Sequence, residues 1–442
     1  MQASKISETT LQPETYRKAF IRDFFPGIQH LRYSFLKYLY ATLEDIPDHS
    51  DIDLLIDKND LSLWLESLIA GDGIYKSRIQ RTSFATYVEI FFEDGSFLSV
   101  DLIYQFKWRT LVFMNPAEVL DQSIKNEEGI KVAMPEHMFE YVILFFSLND
   151  CEVPEKYHTH FLSLNKIIKA SIRKYLMNKY EIVLSNKGDF IDLRKKQLDL
   201  QNRLTSMPRN KAFSALKHRI LYGMDLFKRR NPTITFTGVD GAGKSTILYE
   251  FKQLLTEKYR REVVVLRQRP SLLPILSSFK YGKQEAEKRA ANTLPRQGTN
   301  KNRLSSLLRF LWYFTDYILG QWYIEWKYNR RGKVLLYDRY YYDYIVDSRR
   351  ANIVLSASWI RRLFAFVFTP EVNILLYASP DLILSRKQEL SREDIEGLTE
   401  RMLGLFSAYD QKYRHSVFLP IENIHLEETL QRIESAYVDS CK

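Results

Sequence analysis

The chain has 442 residues, 45% hydrophobic and 27% charged, proportions of a globular protein of two or three domains rather than a disordered or fibrous one. Its net charge of +10 points to anionic partners, and its two cysteines, Cys151 and Cys441, are too far apart to suggest a disulfide framework or a Cys/His metal site. The longest apolar runs, such as Tyr141–Phe146, are too short to span a bilayer, so no membrane span is expected. Met1-Gln2-Ala3-Ser4-Lys5 lacks the apolar core of a signal peptide, and the sparse cysteines suit a reducing, cytoplasmic setting. Basic residues are dispersed, with small clusters at Arg229-Arg230, Arg330-Arg331 and Arg361-Arg362. Nucleic acid is therefore admitted as a partner but not favoured over phosphorylated small molecules.

Residues from about 30 to 110 mix strand and helix patterns. Ser50-Asp51-Ile52-Asp53-Leu54-Leu55-Ile56 reads as a strand carrying Asp-x-Asp. Side chains alternate with period two, so Asp51 and Asp53 share one face. Two carboxylates on one face repel unless a cation lies between them, which points to Mg²⁺. Thr86–Phe92 and Phe97–Ile103 form a hairpin around Glu93-Asp94-Gly95-Ser96. Asp101 falls on its second strand, where a charge among apolar residues needs a partner or an ion.

From about 115 to 225 the pattern is mostly helical, with apolar residues at helical spacing in His137–Leu148 and Phe161–Leu176. Phe139, Tyr141, Phe145 and Phe146 read as core. His49 reads as a loop residue, and His137, His158 and His160 as structural or surface residues. Met207-Pro208-Arg209-Asn210 and Lys228-Arg229-Arg230-Asn231-Pro232 mark joints. The expected domains are 1–114, 115–230 and 231–442.

The last region alternates strand and helix in the βαβ manner. Thr233–Thr237 reads as a buried strand and Ile247–Leu255 as a helix. Between them, Gly238-Val239-Asp240-Gly241-Ala242-Gly243-Lys244-Ser245-Thr246 fits the phosphate-binding pattern G-x-x-x-x-G-K-[ST]. A glycine loop between strand and helix makes a nest of N–H groups, and the helix dipole adds positive potential. Lys244 would reach the β- and γ-phosphates of ATP and Ser245 would hold Mg²⁺. Strands are also expected at Glu262–Leu266, Lys333–Tyr337 and Val372–Tyr377. Their near-continuous apolar character is that of a parallel sheet covered on both faces. In such sheets ligands gather at the carboxyl ends of the strands, where Arg267, Arg269, Asp338 and Arg339 fall. Asp338 suits an acid that assists Mg²⁺, and Arg339 a fork facing phosphate. Arg386-Lys387 would lie on a helix over Asp381–Leu390, placed as a basic lid.

The glycine loop, Asp338-Arg339-Tyr340 and Arg386-Lys387 before an acidic helix resemble the thymidylate kinase family of P-loop kinases, over residues 231 to about 415. The resemblance implies that Asp240 contacts the acceptor and Arg339 touches phosphate. Two departures stand out. Arg267-Gln268-Arg269-Pro270-Ser271 replaces the family's Arg-Glu-Pro-Gly-Gly-like stretch. In Phe310–Tyr317, Tyr317 stands where an acceptor-gripping arginine belongs, against dTMP as acceptor; Trp312, Tyr313 and Tyr317 are either core or a stacking surface. The run Asp338-Arg339-Tyr340-Tyr341-Tyr342-Asp343, with Asp347 and Arg349-Arg350 beyond, looks like a divergent subgroup with a small-molecule acceptor.

Asp51, Asp53 and Asp101 resemble the metal-binding catalytic triad of DNA polymerase β-type nucleotidyltransferases, over roughly residues 25–110. The family's helix opens with Gly-Ser, whereas Leu31-Arg32-Tyr33-Ser34-Phe35-Leu36-Lys37 has no glycine; Lys37 or Arg32 is the substitute phosphate contact. The expected architecture is α/β: a P-loop kinase with a parallel sheet covered by helices, preceded by an α+β nucleotidyltransferase-like domain with a helical extension. The expected function is an ATP- and Mg²⁺-dependent phosphotransferase with an NTP donor and a small-molecule acceptor. Its fused domain would add an NMP. The alternatives are a dTMP kinase with an inactive N-terminal domain, or a nucleotidyltransferase acting on RNA or protein under a regulatory nucleotide-binding domain. A homodimer is left open.

Overall fold

A computed structural model describes residues 14–184, 197–226, 231–270, 272–273 and 302–441. Met1–Lys5, the Lys228–Arg230 part of the second joint and Ser271 lie outside the described residues. The chain divides into two compact units, Met1–Asp225 and Leu226–Lys442, so the helices after residue 115 belong to the first unit.

Among its described residues the first unit has nine strands: β1 (Tyr33–Phe35), β2 (Ile52–Ile56), β3 (Ile74–Arg81), β4 (Ala85–Phe92), β5 (Phe97–Ile103), β6 (Lys107–Trp108), β7 (Leu111–Val112), β8 (Ile124–Lys125) and β9 (Lys131–Val132). Seven form one mixed sheet in the order β3-β4-β5-β2-β1-β9-β8. The β4–β5 hairpin closes where Asp94 Oδ1 accepts from Ser96 N at 2.8 Å. β5 runs parallel to β2, with Asp53 opposite Asp101. Alternation splits β2 between two cores. Leu54 and Ile56 pack with Trp64, Val88 and Leu102. Leu55 packs with Ile103, Phe139, Leu144 and Leu176, on the side of the helix Pro135–Leu148. Period two puts Asp53 and Asp101 on that helix-covered face.

Two expectations need correction here. Leu31–Lys37 does not open a helix: Tyr33–Phe35 is a strand, buried throughout and antiparallel to β2. Phe161–Leu176 is not one helix but parts of Glu155–Ser163 and Lys166–Tyr180. Asn165 divides them, its side chain accepting from Ile168 N at 2.9 Å as an N-cap.

The second unit holds β10 (Thr233–Thr237), β11 (Val263–Arg267), β12 (Val334–Asp338), β13 (Val372–Tyr377) and β14 (Val417–Glu422). They form an all-parallel sheet in the order β11-β12-β10-β13-β14. Every residue of central β10 is buried, as a strand covered on both faces requires. Phe236 meets Phe251 of the helix Lys244–Glu257, which in turn meets Tyr437 of Leu426–Ser440. On the other face Tyr342 donates to Asn373 at 2.8 Å and packs with Phe364, Phe406 and Phe418. The expected helix over Asp381–Leu390 is shorter, Pro380–Arg386, because Lys387 is already extended and Ser391 caps the next helix, Arg392–Lys412. Among the described residues no helix is long and apolar enough to cross a membrane.

Candidate functional site

β10 delivers the chain into the glycine loop at the carboxyl edge of the parallel sheet. Gly238 has φ +141°, and a Cβ there would lie 2.0 Å from the Leu376 carbonyl oxygen on β13. Gly243 has φ +86°, and its Cβ would lie 2.4 Å from Asn423 Nδ2. Both positions therefore need glycine, for backbone conformation and for space. The helix Lys244–Glu257 starts directly after Gly243 without a side-chain cap. Its first N–H groups thus face the loop as donors, a ready anion site.

Lys244 is buried and its Nζ donates to Gly238 O at 2.9 Å and Val239 O at 2.8 Å. Burial and the neighbouring Arg339 guanidinium push its ammonium down to about 7, against the pull of Asp240, Asp343 and Asp338. Asp240 lies 3.7 Å from Lys244 Nζ and is gripped by both Arg339 and Arg350. Burial opposes its charge, but Arg339, Lys244 and Arg350 outweigh that and hold the carboxyl well below the usual range. Arg339 adopts a left-handed backbone, φ 73°, while its N–H donates to Phe236 O at 2.8 Å. Such a conformation in a non-glycine residue is strained and persists only where the surroundings fix it. Its guanidinium also meets Asp343 at 3.3 Å. Asp343 is buried and steadied by Thr237 Oγ1, which donates at 2.9 Å. Gly238, Asp240, Arg339, Asp343, Asp347 and Arg350 line one cleft.

Asp338 ends β12, half-buried, close enough to act on the charges of Lys244 and Arg339. Ser245 and Thr246 are exposed on the first helical turn. Arg386 is exposed, and its Nη1 lies 3.6 Å from the point a Cβ on Gly243 would occupy. Lys387 approaches Gly241 in the same way, at 3.5 Å.

Lys244, Asp240, Arg339, Asp338 and Arg386 thus gather around Gly238–Thr246. Asp343, in the tyrosine-rich run, and Arg350, beyond it, carry no role in the sequence reading, and their part depends on tertiary placement. Asn423 gave no sequence signal: its Nδ2 donates to Ala242 O at 2.8 Å across 181 residues, and its Oδ1 accepts from Thr429 at 3.1 Å. Arg267 is exposed at the end of β11. Arg269 is buried against Asp316 at 2.7 Å, 4.8 Å from the Tyr313 ring centre. Tyr317 is fully buried, donates to Gln268 O and meets Tyr340, Tyr341 and Tyr344 edge-on. Of its two readings, core is the one it adopts.

In the first unit Asp51 is exposed just before β2, Asp53 is buried on it, and Asp101 is half-buried opposite on β5. Burial, then Asp53 and Asp51, push the Asp101 carboxyl well above its usual range. Lys37 follows β1 and its Nζ lies 2.5 Å from Asp53 Oδ2. Burial works against its charge, but Asp53 leads the opposing pull and raises it. Arg32 does not join this cluster; it pairs with Asp57 at 3.4 Å and with Asp121. Arg17 donates to Ser50 O at 2.9 Å and so restrains the approach to Asp51. Among the described residues no group of three His, Cys, Asp or Glu is placed to hold a metal ion. Of the expected metal set Asp51, Asp53 and Asp101, Asp53 carries the Lys37 ammonium in this arrangement.

The chain matches no protein-family model, and no curated protein matches it.

Proposed function

We propose that the second unit is a P-loop kinase that transfers the γ-phosphoryl group of ATP to a small-molecule acceptor. The observation that carries this is the convergence of Lys244, Arg339 and Arg350 on Asp240 beside an uncapped helix start. Two arginines, a lysine that gains its charge as phosphate binds, and a row of N–H donors at one sheet edge make a place for a polyphosphate. The acceptor oxygen would bond to the γ-phosphorus while the bond to the β–γ bridging oxygen breaks. ADP then leaves with that electron pair, and the acceptor proton passes to solvent. Phosphoryl transfer needs positioning and charge neutralisation above all. Lys244 suits the β- and γ-phosphates, Arg339 and Arg350 the charge on the transferring group, and Arg386 the outer side of the loop. Ser245 and Asp338 would hold Mg²⁺, which neutralises phosphate charge when bound. The buried place of Tyr317 gives dTMP no cation at the position the thymidylate kinases use, which favours another acceptor.

ADP release measured over a panel of nucleosides, nucleotides and sugars tests this. One acceptor should stimulate release, and Lys244→Ala should lower turnover by about 10²–10³-fold with the fold intact. Unchanged turnover in that variant would remove the loop from the chemistry. For the first unit we propose a nucleotidyltransferase-type fold, supported by Asp53 on a strand parallel to and in register with that of Asp101.

A further inference from the structure

We infer that the Lys37 ammonium serves as a built-in cation on Asp53 in the first unit, so that this carboxylate cluster excludes divalent metal and supports no metal-dependent nucleotidyl transfer. The inference stands apart from phosphoryl transfer in the second unit.

The geometry begins with β1. Its antiparallel pairing with β2 puts Phe35 opposite Leu54, and Leu36 N donates to Asp53 O at 2.9 Å. Lys37 is therefore delivered to the neighbourhood of Asp53 by the backbone ladder rather than by a free-swinging loop. Its side chain is 22% exposed and that of Asp53 only 8%. The Lys37 Nζ also lies 6.0 Å from the Phe145 ring centre, on the helix that covers this face. A primary ammonium at 2.5 Å from Asp53 Oδ2 takes one of the two carboxylate oxygens a metal would use and sets a positive charge beside the other.

The surrounding charges agree. The charges acting on Asp101 include Asp53, Asp51, Lys37 and Glu89. Glu89 is not available to a metal, because it is buried against Arg78 at 3.2 Å. Lys37 is thus seated on Asp53, with Asp101, Tyr141 and Tyr157 within its electrostatic reach. A divalent ion would have to displace a tethered ammonium and leave it facing two positive charges in a mostly buried site, which is costly. The same position lacks the glycine that lets a backbone approach a triphosphate; Tyr33, Ser34 and Phe35 are all buried.

Mn²⁺ binding to the full-length chain without nucleotide, followed by electron paramagnetic resonance, tests this directly. The wild-type protein should show no Mn²⁺ site that Asp53→Asn abolishes. Lys37→Ala and the near-isosteric Lys37→Met should each gain one, and Asp53→Asn in either background should remove it. Thermal melting gives a second readout: Mn²⁺ at about ten times Kd should raise the melting temperature of the lysine variants by about 2–4 °C and leave wild type unmoved. A wild-type Mn²⁺ site lost in Asp53→Asn or Asp101→Asn would overturn the inference, whether or not the lysine variants fold. So would folded lysine variants that gain no site, or an NMP transferred from NTP by wild type and not by Asp53→Asn.

Discussion

Polyphosphate binding to the glycine loop should take up a proton, and Lys244 sets the amount. In the ligand-free unit its ammonium titrates at about 7, because it is buried against the loop carbonyls and beside Arg339. A phosphate anion on the loop supplies opposite charge and raises that value, so the lysine protonates on binding wherever the pH exceeds about 7. The neutral fraction to be charged is about 0.5 at pH 7, about 0.9 at pH 8 and about 0.1 at pH 6. Apparent affinity should then weaken about eightfold between pH 7.5 and 8.5. Isothermal titration with a non-hydrolysable ATP analogue, in buffers of different ionisation enthalpy, reads the proton count directly. Lys244→Ala should abolish the uptake as well as weaken binding. Zero uptake at pH 8, or uptake that survives in Lys244→Ala, would refute the placement of the phosphates on this lysine. The same group affects folding with a definite sign. An unfolded lysine titrates near 10.4, so between pH 7 and 10 the unfolded chain holds more protons, and this residue's contribution to stability rises with pH.

Gly238→Ala should destabilise the second unit by about 2–5 kcal/mol, since its Cβ would strike the fixed Leu376 carbonyl at 2.0 Å in a left-handed backbone; urea unfolding followed by tryptophan fluorescence checks it. Asn423→Ala removes the donor to Ala242 O and the acceptor for Thr429, which should cost about 1–3 kcal/mol in the same assay and weaken ATP binding through the loop. Tyr317→Phe loses one buried hydroxyl donor to Gln268 O, so a loss of about 1 kcal/mol is expected with no change in acceptor KM; a large KM change would place Tyr317 at the acceptor. Lys37→Ala strands Asp53 and should cost the first unit about 3 kcal/mol, read by denaturant unfolding at neutral pH.

Much of the second unit was legible because its signals are local. β10 and β13 span Thr233–Thr237 and Val372–Tyr377, the bounds expected from short β-branched and apolar segments between turn residues. Asp338 and Arg339 fall at the end of β12, and Lys244 and Ser245 open the helix that follows β10 and its glycine loop, where a parallel sheet exposes its carboxyl edge. Arg350, Asp343 and Asn423 were not readable as loop contacts, because each is brought to Asp240, Thr237 or Ala242 by packing across more than a hundred residues. Tyr33–Phe35 was misread for a related reason: a strand buried on both faces has no alternation to reveal it. The Phe161–Leu176 break rested on one capping asparagine within an otherwise helical pattern. In the first unit the Asp-x-Asp strand and Asp101 were legible, and Lys37 was named as a contact. Its pairing with Asp53 follows from the β1–β2 register, which the sequence does not encode locally.

The most direct measurement is the fate of label from ATP carrying a radioactive γ-phosphate, incubated with the full-length protein, Mg²⁺ and a panel of small acceptors. Label should pass to one small molecule with ADP formed in equal amount, and Lys244→Ala should stop the transfer. Folded wild-type protein that binds ATP yet moves label to no acceptor and to no water would contradict phosphoryl transfer at this loop.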